Sequence, residues 1–164
     1  MKKQWIKTAD FNYRFLIDDK ETGIMEIQFN AIANKAICTI EGRELEIKRT
    51  GFWKSNIEIT DRNGMVILKA YPEKWYANSS VVEFENQKLQ LSIRNNPLAE
   101  FVLNEQQKEI LAYGLATENG KAGVKISSSG NSPFIFDFLL WYLFVPVATE
   151  NLSDNDAFLL LAVA

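Results

Sequence analysis

The chain has 164 residues, no histidine, one cysteine and a formal net charge of -3. That length fits one domain spanning 1–164, with a core large enough to fold without staples. The acidic balance lacks the basic footprint that phosphate neutralisation gives nucleic-acid binders, so nucleic acid is not an expected partner. The missing histidine removes Ser-His and Cys-His pairs and the commonest metal ligand. A single cysteine allows neither an intrachain disulfide nor a Cys-rich zinc site, so no metal or other cofactor is expected.

Met1-Lys2-Lys3-Gln4-Trp5-Ile6-Lys7 is basic with no apolar run behind it. It does not read as a secretory signal, and with the lone cysteine this points to the cytoplasm. From 12 to 127 the chain reads as short segments of alternating polarity: Tyr13 to Ile17, Ile24 to Phe29, Ala36 to Ile40, Leu45 to Lys48, Ile57 to Thr60, Met65 to Tyr71, Val81 to Phe84, Lys88 to Ile93, Ala99 to Leu103, Glu109 to Leu115 and Ala122 to Ile126. Period two sends one set of side chains inward and the other to water, which predicts about eleven strands. Cys38, inside one of them, reads as a buried inert thiol.

The connections alternate in kind. Glu41-Gly42-Arg43, Asp61-Arg62-Asn63-Gly64 and Glu85-Asn86-Gln87 are tight polar turns, and Asn63-Gly64 is a hairpin signal because both residues tolerate positive φ. Asp18 to Gly23 and Asn104 to Lys108 read as slightly longer turns. Between these turns lie looser links: Gly51-Phe52-Trp53, Pro72-Glu73-Lys74-Trp75-Tyr76 and Asn95-Asn96-Pro97. Sequential hairpins of this kind form an antiparallel meander.

After the loop Ser127 to Ser132 the character changes over 133–164. Ser132 and Pro133 are placed to start a helix. Phe134 to Val145 is apolar on every side except at Asp137, and Pro146 is expected to end or kink it. A polar stretch, Thr149 to Asp156, precedes a second apolar segment, Ala157 to Ala164, read as a short helix capped by Ser153 or Asp154.

An all-apolar helix must be enclosed by protein or lipid. A span needs about 20 apolar residues, which neither segment supplies, so no transmembrane span is expected. A barrel of about twelve strands can hold one helix about 10 Å across. The expected fold is therefore mainly β: a closed antiparallel barrel around a hydrophobic C-terminal helix, with an additional apolar helix nearby. The small residues Ala157, Ala162 and Ala164 suit the last segment to the lumen, leaving the aromatic segment to cap one end or pack outside.

Two stretches carry a family likeness. They are the hairpin unit Asn56 to Ile67 and the ending Ser153 to Val163, an acidic cap running into a small-and-aliphatic segment. In these the chain resembles the tubby C-terminal-like superfamily, which includes the phospholipid scramblases and the LURP-one-related proteins. The resemblance implies a twelve-stranded barrel around a central helix and a non-enzymatic role at an anionic phospholipid. The final segment is shorter than the family's helix, the scramblases' cysteine cluster and calcium-binding segment have no counterpart, and no phosphoinositide-binding residue of tubby carries over.

Among the residues themselves, Lys48, Arg49 and Lys54 flank Trp53, and Lys74 precedes Trp75 one repeat later. A cation beside an indole can hold an anionic headgroup at a membrane interface. The same residues also read as barrel-corner packing with solvated lysines. Asp18, Asp19 and Glu21, and Asp154 with Asp156, lack calcium-loop spacing and read as turn solvation and capping. The helix 133–147 reads as packing on its own barrel or as forming the subunit interface of a homodimer; a dip into a membrane surface would call for a basic face opposite the apolar one, which it lacks. An anionic lipid headgroup or a membrane-associated protein is the partner this pattern suggests, with the protein peripheral at the membrane.

Overall fold

Period-two alternation becomes a single winding sheet. The computed structural model describes residues 1–29, 34–51, 53, 55–74, 78–95, 99–151 and 161–163. Twelve antiparallel strands follow in chain order: β1 (Lys3–Ala9), β2 (Asn12–Ile17), β3 (Lys20–Phe29), β4 (Asn34–Ile40), β5 (Arg43–Thr50), β6 (Asn56–Asp61), β7 (Val66–Pro72), β8 (Ser79–Phe84), β9 (Gln87–Asn95), β10 (Ala99–Glu105), β11 (Lys108–Glu118) and β12 (Lys121–Ser128). Each pairs with its sequence neighbours. One helix, α1 (Phe134–Asn151), comes next, and a short strand β13 (Leu161–Val163) then pairs parallel with β12. β13 also lies beside β1, so the sheet returns on itself as a nearly closed barrel.

The turns carry the meander. Both central residues have positive φ at Asp18–Asp19, Glu41–Gly42, Glu85–Asn86, Gln106–Gln107 and Asn119–Gly120. That geometry is the hairpin turn whose twist matches the flanking strands. The segments at Asp18 and Asn104, expected to be longer, are thus two-residue turns beside register shifts at Phe15/Leu16 and Leu103/Asn104. At Asp61–Gly64 only Gly64 crosses to positive φ, at 78°. The Asp61 carboxylate accepts from the Asn63 and Met65 N–H groups at 2.9 and 3.0 Å, which holds this turn with Asn63 at negative φ.

α1 occupies the lumen. Ile135 to Tyr142 are all buried, as are Phe144, Val145 and Ala148. Their partners come from around the wall: Phe138 meets Trp5 and Phe15, Phe136 meets Phe84, Phe144 meets Phe101, and Tyr142 bonds the Asn34 carbonyl. Each such side chain contributes roughly 2 kcal/mol on leaving water, which is why the helix needs walls on every side. Gly23 lets it approach: a Cβ there would sit 2.4 Å from the Thr39 carbonyl oxygen and 2.6 Å from Phe138 Cζ.

Several expectations are corrected here. The aromatic segment, not Ala157 to Ala164, fills the barrel, because its rings fit the space that a wall of about twelve strands leaves. Residues 161–163 form a strand at the seam rather than a helix, while 157–160 lie outside the described residues. α1 packs inside its own barrel, the first of the two readings of 133–147. Pro146 does not end the helix, which continues to Asn151; the Thr149 hydroxyl donates to the Val145 and Pro146 carbonyls at 2.9 and 3.0 Å. Ser132 does not cap it, for its buried hydroxyl has no hydrogen-bond partner. No helix among the described residues is long and apolar enough to cross a membrane.

Candidate functional site: the link rim of the barrel

An up-and-down meander sends alternate connections to opposite ends. One end, the turn rim, carries Asp18–Asp19, Glu41–Gly42, Asp61–Gly64, Glu85–Asn86, Gln106–Gln107 and the start of α1. The other, the link rim, carries the connections after β1, β3, β5, β7, β9 and β11, and the end of α1. The sequence-derived candidates Lys48 and Arg49 (end of β5), Trp53 (the β5–β6 link) and Lys74 (the β7–β8 link) therefore share the link rim. Lys54 and Trp75 lie outside the described residues. Trp53 is 84% exposed, and Lys74 is exposed as well.

Strand parity separates the two adjacent cations. Leu45 and Ile47 are buried on the inner face of β5, and Arg49 continues their set. Its guanidinium sits 5.6 Å from the centroid of the Tyr142 ring, at the mouth of the lumen. Such a stack contributes about 0.5–1 kcal/mol when exposed and more when dry. Tyr142 in turn donates to the Asn34 carbonyl at 3.0 Å. Burial raises its phenol above the ordinary value, with Arg49 opposing. Lys48 points the other way, onto the outer wall.

There it joins a cross-strand row: Lys35, Lys48, Glu58, Lys69, Glu83 and Lys88, each in register with the next. Charge alternates along this row from Lys48 onward, whereas Lys35 faces Lys48 as a like-charge pair. Opposed like charges destabilise a sheet. Neither lysine has a carboxylate within ion-pair distance among the described residues, while Lys2, Lys7, Arg14, Lys88 and Arg94 each reach one. Sequence reading missed Lys35, because only strand register brings it opposite Lys48.

A second polar group is sealed inside. Lys3 Nζ lies 3.1 and 2.8 Å from the two Asp137 carboxylate oxygens. The Tyr113 hydroxyl donates to Asp137 Oδ1 at 2.9 Å and accepts from Trp5 Nε1 at 2.9 Å. Burial raises the Asp137 carboxyl above its usual value, with Lys3 and Tyr113 pulling it down. Burial, then Asp137, raises Tyr113 well above the ordinary phenol. These are acid–base groups without access for a substrate, so their chemistry is confined to holding α1. Burial likewise pushes the Cys38 thiol up, in keeping with an inert cysteine.

No family model, no curated protein and no solved structure matches this chain. Among the described residues the turn rim has two concavities, of about 700 and 390 Å³. The larger is lined by Asp18, Lys20, Glu21, Glu41 and Phe134 among others. Two of its acids are engaged locally: Asp18 accepts from the Lys2 N–H at 2.7 Å, and Glu21 pairs with Arg14. No group of three or more metal-ligating side chains gathers among the described residues. The link rim carries Lys48, Arg49, Lys74 and the exposed Trp53.

Proposed function

We propose that this chain is a non-enzymatic barrel of the tubby C-terminal-like type that docks its link rim on an anionic phospholipid surface, at the cytoplasmic face of a membrane. The observation that carries the reading is Trp53, 84% exposed on the rim that also bears Lys48 and Lys74. An indole is amphipathic and settles at the boundary between headgroups and acyl chains. Lysines beside it gain about 1 kcal/mol each from an anionic leaflet. The enclosed helix supports the same reading from the other side: with α1 buried, membrane contact falls to the rim and not to helix insertion. A meander of twelve antiparallel strands around a central helix is also the architecture that the superfamily resemblance implies.

Vesicle sedimentation tests this. The chain is expected to pellet with phosphatidylcholine–phosphatidylglycerol vesicles and to stay in the supernatant with phosphatidylcholine alone. Lys48→Glu combined with Lys74→Glu should abolish pelleting. Equal pelleting with both vesicle types, unchanged by the double substitution, would overturn the reading.

A further inference from the structure

We infer that the rim does not meet the bilayer end-on: the barrel tilts onto the corner made by β4, β5 and β6, and Lys35 and Lys48 on the outer wall complete the anion-binding surface. This rests on the docking reading above and adds to it a residue, Lys35, and an orientation.

Charge is not spread evenly round the link rim. On the β4–β6 side, Lys35 and Lys48 face each other across the ladder with no carboxylate in ion-pair reach among the described residues; Glu58, in register with Lys48 on its other side, offsets one of the two charges, and the exposed Trp53 stands in the next link. On the far side, Arg94 at the end of β9 is shared by two carboxylates, Glu100 at 3.0 Å and Glu109 at 3.1 Å. That group carries a net negative charge. Glu118, exposed at the end of β11, faces Lys121 across the turn, which balances its charge. An anionic leaflet attracts the first arc and repels the second within a Debye length of about 8 Å. An end-on pose would press both arcs to the same depth. A tilted pose lowers Lys35 and Lys48 to the headgroups and lifts Glu100 and Glu118, at the link ends of β10 and β11, into water. It also gives Lys35, whose register neighbours are Gln28 and Lys48, a counter-anion.

Cys38 is the only cysteine and is buried, so an added surface cysteine is labelled alone. Ser55→Cys lies in the β5–β6 link and Thr117→Cys near the end of β11; both positions are exposed. Each is tagged with an environment-sensitive fluorophore and titrated with phosphatidylcholine–phosphatidylglycerol vesicles. The label at 55 should brighten severalfold and the label at 117 stay unchanged. Lys35→Gln should weaken vesicle binding roughly fivefold, with a similar further loss for Lys48→Gln. Brightening at both labels would mean end-on docking and overturn the tilt while leaving the docking reading intact. Brightening at 117 alone, or at neither label despite sedimentation, would also overturn the tilt. Absence of sedimentation altogether would remove the docking reading and this inference with it.

Discussion

Lys3 on the first strand and Asp137 on the central helix form an ion pair across 134 residues of sequence, at 2.8 and 3.1 Å, with side-chain exposures of 1% and 0%. It is the one charged contact inside an aromatic lumen among the described residues, and it ties α1 to β1, the strand at the seam. Trp5, two residues on, stacks on Trp141 with centroids 5.3 Å apart and donates to Tyr113, which donates to Asp137. Strand, helix and β11 are thereby held in one register.

Breaking this pair from one side leaves a buried charge uncompensated. Lys3→Met is expected to lose about 3–5 kcal/mol at neutral pH. The loss should shrink in acid. A carboxyl raised on folding contributes stability that is present at low pH and disappears as pH rises through its folded value. Asp137 is raised by burial, and Lys3 is the leading influence against that rise, so its removal widens the window. Lys3→Met combined with Asp137→Leu should restore stability to near wild type at every pH. Urea unfolding of the three proteins across a pH series checks this; a single variant as stable as wild type at neutral pH would contradict it.

Alkaline stability follows from the tyrosines. Tyr13 is pushed up to about 12 by burial and then by Asp10, and Tyr113 is raised well above the ordinary value. The unfolded phenol titrates near 10. These groups contribute stability that is intact below about pH 10 and is lost as pH rises through their folded values. Phenolate absorbance and circular dichroism should therefore change together above pH 10, and Tyr13→Phe should shift the unfolding midpoint to higher pH.

Gly23 is a steric requirement. Ala in its place would press its Cβ on the Thr39 carbonyl and on Phe138 Cζ, and the carbonyl is backbone that cannot swing away. Gly23→Ala is expected to cost about 1–3 kcal/mol, measured by chemical denaturation.

Gln107 holds φ at 68° in the β10–β11 turn. A side chain in the left-handed region costs about 1–2 kcal/mol, partly offset by the greater freedom of glycine when unfolded. Gln107→Gly should raise stability by up to about 1 kcal/mol, read as a higher denaturation midpoint.

Strands β2 to β12 were legible because each alternates on its own, and the central turns announce themselves with Gly42, Asn86 and the Asp61–Gly64 run. β1 was not. Lys3 and Lys7 make its inner set read as a basic terminus, and the partner that lets Lys3 be buried lies on α1. Leu161 to Val163 was misread for a related reason: a short aliphatic run has no period to separate helix from strand. Asp137 likewise read as a flaw in an apolar helix until Lys3 and Tyr113 were beside it. For the candidate surface, Trp53, Lys48 and Lys74 were visible from their aromatic links. Strand parity turned Arg49 inward to Tyr142, and register brought Lys35 to Lys48; neither can be read from a single segment.

Quenching of tryptophan fluorescence by brominated phospholipids tests most directly whether the barrel docks by its rim with the helix still enclosed. Of the four tryptophans, Trp5 is buried against α1, Trp141 is buried on α1 itself and Trp53 is on the rim. With Trp53→Phe and Trp75→Phe together, the remaining indoles should be unquenched on anionic brominated vesicles, even though the protein still sediments through its lysines. Persistent quenching in that variant would place Trp5 or Trp141 in the acyl chains. The helix would then have left the barrel, and docking by the rim would be contradicted.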